Sequence, residues 1–166
     1  MKKKHPTLSR THERSFTNGV SPIADVREIL ERSRSVATVG ASADIDKPSG
    51  GVPHHLKSIG FHVIPVNPNA SEILGVRSFP SLLDVDEPVD IVQVFRPAEE
   101  AADIARQAVE IGAKVLWLQL GITSDEARAI AGEAGLEYIE DQCMERETRS
   151  LGIRKDKAVN GTDRAS

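Results

Sequence analysis

The residues best suited to chemistry in this chain are Gly40-Ala41-Ser42 and, a few positions on, Lys47-Pro48-Ser49-Gly50-Gly51. They bring a glycine turn, two hydroxyls, one cation and flexible backbone into a single short stretch. The preceding run, Ser35-Val36-Ala37-Thr38-Val39, reads as an apolar strand, and a helix pattern follows. A strand, glycine turn and helix in a doubly wound sheet aim backbone N–H groups and the positive end of the helix at an anion above the strand ends. A nucleotide pyrophosphate is the guest this arrangement predicts. Lys47 would act as a point charge on a phosphate, and Ser49 as a helix cap or a phosphate donor. The plainer alternatives are a tight turn that simply needs Gly40 and a solvated loop lysine.

A second apolar run, Val63-Ile64-Pro65-Val66, ends in Asn67-Pro68. A dinucleotide fingerprint would carry a second glycine two residues after the first and an acid about twenty residues further on, for the ribose hydroxyls. Ser42 stands at the first of those places and Asn67 near the second, so NAD is disfavoured on both counts. Asn and Pro are also ordinary turn formers. The five histidines form no site: His54 and His55 are adjacent and point apart on a helix, whereas helical metal ligands stand three or four apart. No Ser-His-Asp order, P-loop or zinc pattern appears, so no metal and no catalytic set is predicted.

Gly40-Ala41-Ser42, Lys47-Pro48-Ser49-Gly50-Gly51 and Val63-Ile64-Pro65-Val66-Asn67-Pro68 resemble the opening of a coenzyme A-binding domain. That Rossmann-like module also forms the N-terminal part of the succinyl-CoA synthetase alpha subunit, and the likeness is strongest to the small stand-alone bacterial members. Val94-Phe95-Arg96, Trp117-Leu118-Gln119-Leu120-Gly121 and Asp141-Gln142-Cys143-Met144 continue it in the same order. The resemblance implies coenzyme A or an acyl-CoA as ligand. It lays Val66, Asn67 and Pro68 along the adenosine, Phe95 near the adenine, and Arg96 on the ribose phosphate that distinguishes CoA from NAD. The alternative for Arg96 is an ion pair with Glu99 or Glu100. Gln119 would stand near the pantetheine; a neutral amide positions a ligand but is a poor general base.

Cys143 would lie on the same edge, either as a small buried hydrophobe or facing the CoA thiol closely enough for a mixed disulfide. Family members often carry Arg before this cysteine and His after it. Here Gln142 and Thr148 occupy those places, so the roles of those partners do not carry over. The synthetases also need a second domain with a phosphorylated histidine, which a short tail cannot supply.

The elements that must position these residues alternate along the chain. Strands are predicted at 36–39, 63–66, 91–95, 115–118 and 138–140. Helices are predicted at 52–59, 98–111 and 124–134, with an opening helix from Ser21-Pro22. Short apolar strands separated by helices imply an α/β, Rossmann-like, doubly wound parallel sheet of about five strands in one domain. The default order 3-2-1-4-5 would put the ligand between the first and fourth strands. The domain is expected to span residues 21–151, between a flexible basic arm at 1–20 and a flexible tail at 152–166.

Composition limits the partners. At 166 residues the chain is long enough for one well-buried core. Its single cysteine rules out an intrachain disulfide and suits a reducing compartment, and its apolar runs are too short to span a bilayer. A cytoplasmic protein with no membrane role follows as the expectation. The arm holds five Lys/Arg and one Glu, and the last fifteen residues hold four Lys/Arg and two Asp, within a whole-chain charge of −4. The body between is therefore acidic, which argues against a nucleic-acid face, since that needs clustered Lys and Arg. A homo-oligomer or a protein partner stays open. The expected role is non-catalytic binding of CoA or acyl-CoA through the amides of the first strand–helix turn, as sensor, carrier or accessory module. The rivals are a small Rossmann enzyme using NAD(P) or another nucleotide, and an interaction subunit of a larger acyl-CoA enzyme with a vestigial pocket.

Overall fold

The computed structural model describes residues 25–156. The basic arm, the helix start at Ser21-Pro22 and the end of the tail lie outside them. In chain order the elements are α1 (Val26–Arg32), β1 (Ser35–Val39), α2 (Pro48–Ser58), β2 (His62–Val66), β3 (Glu72–Ile73), β4 (Val76–Arg77), a 3-10 turn (Leu82–Asp84), β5 (Ile91–Val94), α3 (Ala98–Glu110), β6 (Val115–Leu118), α4 (Asp125–Ala134), β7 (Glu137–Ile139) and α5 (Met144–Leu151). Five of the strands form one parallel sheet, and β3 and β4 pair as a separate antiparallel hairpin. The chain is an α/β, Rossmann-like single domain.

The sheet order is β2-β1-β5-β6-β7, which corrects the expected 3-2-1-4-5. Proline explains the difference. Pro65 has no N–H to give a neighbouring strand, so β2 is best placed at the edge of the sheet. The outer side of β2 is instead covered by one residue: Phe79 N–H donates to the Pro65 carbonyl at 3.0 Å, and Asn67 N–H donates to the Phe79 carbonyl at 2.8 Å. With that edge occupied, the chain crosses back and β5 pairs with the other side of β1. The switch point therefore lies between β1 and β5.

Strand alternation sends side chains to two cores. Ala37, Val92, Val94, Leu116 and Leu118 meet the apolar stripe of α3 and the small residues of α4. Val36, Val63, Ile91, Val115 and the fully buried Trp117 pack with Ile29 and Leu30 of α1, Val52 and Leu56 of α2 and Met144 of α5. Trp117 Nε1 donates to the Gln142 carbonyl at 2.8 Å, which ties the segment before α5 to the sheet. Helix α5 was not anticipated from the sequence, although Met144, Thr148 and Leu151 follow helical spacing on its inner face. Its partner across the core is His55 of α2.

The packing also continues past Leu151, the expected end of the domain. Ile153 is buried. Lys155 Nζ donates to the Leu30 and Glu31 carbonyls at 2.5 and 2.7 Å, placing a cation at the C-terminal end of α1 where the helix dipole favours one.

His55 gives this core a pH dependence. Its Nε2 lies 3.0 Å from Thr148 Oγ1, and that hydroxyl lies 3.0 Å from the Glu145 carbonyl. A carbonyl only accepts, so Thr148 donates to it and His55 Nε2–H donates to Thr148. Burial is the main cause holding the His55 pKa below its ordinary value, with Arg149 adding to it and Glu145 opposing it. The unfolded chain therefore takes up this proton at higher pH than the folded one. Stability falls as pH drops through about 6.5 and levels off below the depressed folded-state value. Replacing His55 with Gln keeps a donor for Thr148 and removes the titration. Thermal melts from pH 7 to 5 should fall more steeply for the wild type than for His55→Gln, whereas parallel profiles would assign the slope to other groups.

Candidate functional site

The carboxyl ends of β1, β2 and β5 open onto a cleft of ≈ 520 Å³ on the α3 side of the switch point. Drug-sized and cofactor sites fall within ~300–1,000 Å³. Gly40, Val66, Asn67, Pro68 and Arg96, all anticipated from the sequence, line this cleft. Its far wall is Pro80-Ser81-Leu82 and the first turns of α3, including Glu99, Glu100 and Asp103.

Gly40 has φ +89°, and a Cβ there would sit 2.9 Å from Arg96 Cδ and 3.3 Å from the Phe95 carbonyl. Glycine is thus required twice over, by the left-handed backbone and by the arginine stem lying against it. Arg96 forks onto Glu100, with Nε to Oε1 at 2.9 Å and Nη2 to Oε2 at 2.8 Å. The paired hydrogen bond raises the Arg96 pKa and lowers that of Glu100. Asn67 works as a brace: its Nδ2 donates to the Ala41 carbonyl at 2.8 Å, and its Oδ1 accepts from Asn69 N–H at 2.7 Å.

The amides of the first crossover are arranged differently from the expectation. Gly40 N–H and Ala41 N–H donate to the Val66 carbonyl, and Ser42 N–H donates to the Ser49 carbonyl at 3.1 Å. These three are committed within the protein. The reason lies in α2, whose interior Pro53 lacks the N–H that would normally bond Ser49, four residues earlier. Ser42 supplies it from outside the helix. Ser42 Oγ in turn accepts from Asp44 N–H at 3.0 Å. Among the described residues, the amides of Ala43, Ile45 and Ser49 have no protein partner, and they stand around the start of α2. Side-chain reading could not find Ala43 and Ile45, because neither side chain carries a polar atom.

Helix α2 starts at Pro48, four residues ahead of the predicted start, so Gly50-Gly51 are helical and not flexible residues ahead of the helix. A Cβ on Gly50 would fall 2.2 Å from the Asp44 carbonyl oxygen and 2.8 Å from that of Ser42. The loop is pressed against the helix. Lys47, the residue preceding α2, is exposed and makes no capping bond, and Ser49 is half-buried.

The remaining anticipated residues sit on the opposite face or in the sheet. Ala41 is buried. Phe95 and Cys143 are half-buried on the side covered by α1, α2 and α5, with Cys143 preceding α5. Gln119 is turned inward and only 2 % exposed. Its Oε1 accepts from Gln93 Nε2 and from Met144 N–H, both at 3.1 Å, while Gln93 Oε1 accepts from Thr38 Oγ1 at 2.7 Å. This buried polar column joins β1, β5 and β6 to the first turn of α5. Among the described residues no helix is long and apolar enough to cross a membrane.

The family is settled by comparison. A model of the CoA binding domain matches residues 34–149, and the chain belongs to that family. It is 40% identical over 121 residues to Uncharacterized protein YneT of Bacillus subtilis (strain 168), covering 73% of this chain and 90% of that one. It is 34% identical over 118 residues to Acetate--CoA ligase [ADP-forming] II of Archaeoglobus fulgidus, covering 70% of this chain but 17% of the ligase. A solved structure of a hypothetical protein from Pyrococcus horikoshii OT3 superposes with TM-score 0.76 at 33% identity, covering 92% of this chain and 100% of that one.

Gly50 can be tested directly. Gly50→Ala should lower stability in urea denaturation by about 1–3 kcal/mol, as overpacking against backbone does. Gly132→Ala, at a helical glycine whose added methyl would meet nothing within 4 Å, should be neutral or stabilising by up to about 1 kcal/mol.

Proposed function

We propose that this protein binds coenzyme A or an acyl-CoA across the carboxyl edge of its sheet, without catalysing a reaction on it. The observation that carries the reading is the membership in the CoA binding domain family together with a cleft at the β1/β5 switch point. The adenosine would lie beside Val66, Asn67 and Pro68, with Arg96 toward the ribose phosphate. The diphosphate would sit over the amides of Ala43, Ile45 and Ser49 at the positive end of α2, with Lys47 as a nearby charge. From there the pantetheine would run toward the side of Phe95 and Cys143. The donor set fits a diphosphate, because unpaired amides at a helix start favour an anion without a fixed cation.

The protein would act in the cytoplasm as a sensor or carrier. A second reading draws on the ligase relative, of which this chain matches only 17%. In it, the domain lends its cleft to a larger acyl-CoA enzyme, and a stoichiometric partner co-purifying with an empty cleft would favour it.

Thermal shift with CoA, acetyl-CoA, dephospho-CoA, NAD and NADP separates these ligands. CoA or acetyl-CoA at one hundred times its dissociation constant should stabilise by ~2.7 kcal/mol, or roughly 5–10 °C. A shift with NAD or NADP and none with CoA would replace this proposal with a nucleotide-dependent enzyme.

A further inference from the structure

We propose that Glu100 sets how strongly the cleft distinguishes a ligand carrying a ribose phosphomonoester from one that lacks it. The inference rests on the CoA reading and extends it to a residue of the cleft wall whose side chain hydrogen-bonds Arg96. Among the described residues, Arg96 is the only cationic side chain lining the cleft, and its stem is held over Gly40 by close packing. The fork it would offer a phosphate is already filled by the two oxygens of Glu100. A carboxylate and a phosphate present the same pair of acceptors to a guanidinium, so Glu100 stands where the ligand's phosphate would bind.

The fold keeps Glu100 there. It lies in the first turn of α3, where the helix dipole favours an acid, and its own N–H donates to the Pro97 carbonyl at 2.9 Å. Arg96 and Glu100 side chains are each 46% exposed, so the pair is of modest strength and a ligand can displace it. Displacement leaves Glu100 unpaired beside Glu99 and Asp103 on the same wall. A dianionic phosphomonoester then meets three carboxylates and one guanidinium. A free ribose hydroxyl incurs none of this repulsion and can donate to a carboxylate. Glu100 thus narrows the preference for the phosphorylated ligand that Arg96 alone would impose.

The experiment is titration calorimetry of the full chain with CoA and with dephospho-CoA, in the wild type, Glu100→Gln and Glu99→Gln. Glu99→Gln removes the same charge from the same wall without freeing the Arg96 fork. The ratio of dephospho-CoA to CoA dissociation constants should rise about three- to tenfold in Glu100→Gln and stay within about twofold of wild type in Glu99→Gln. Binding of both ligands with an unchanged ratio in Glu100→Gln would overturn the inference and leave the CoA reading standing. Equal rises in both variants would also overturn it, because the wall's charge and not the fork would then set the ratio. No binding of either ligand to any of the three proteins would overturn both.

Discussion

The Ser49 carbonyl organises the first crossover. Pro53 denies it the usual helical partner, and Ser42 N–H reaches across from the β1 turn to take that place. The bond draws the 42–47 loop onto the start of α2 so tightly that Gly50 has no room for a Cβ. The Ser42 amide is consumed by this bond, those of Gly40 and Ala41 go to the Val66 carbonyl, and among the described residues those of Ala43, Ile45 and Ser49 have no protein partner. A proline that does not line the cleft thus sets which amide of the turn the Ser49 carbonyl takes up.

A second constraint acts from the other side of the cleft. Pro65 makes β2 an edge strand, Phe79 covers that edge, and the chain must return over β1 to lay down β5. This brings Arg96, at the end of β5, directly beside Gly40, at the end of β1. Had the order been the one expected from the sequence, Arg96 would have stood at the far edge of the sheet. The contact between arginine stem and glycine, and with it the fork onto Glu100, exists because of a proline two strands away.

The opposite face is stiffened differently. The Thr38, Gln93 and Gln119 side chains form a fully buried polar column whose last acceptor holds Met144 N–H, and Trp117 fixes the backbone at Gln142. Buried polar groups of this kind are costly if any member loses its partner, so they hold α5 and Cys143 in one arrangement relative to the sheet. On the cleft side the brace is Asn67, which ties the turn through Ala41 and Asn69, and the charged side chains Arg96, Glu99, Glu100 and Asp103 line the opening.

The strands, most of the helices and the family were legible in the sequence because they depend on local patterns. Short apolar runs, glycine and proline punctuation, and the motifs in their order carry that information without reference to a third dimension. Pro65 even carried the edge position of β2, a signal that outweighs the default strand order. Helix α5 was missed because its polar outer face hides three inward residues. What only the tertiary structure decided is which groups remain free: Gln119 and Asn67 have side chains suited to a ligand but are engaged by the protein, whereas Ala43 and Ile45 offer only backbone. Residue type records what a group can bond. Whether it is already bonded depends on neighbours brought from distant parts of the chain, and those are set by packing and strand order.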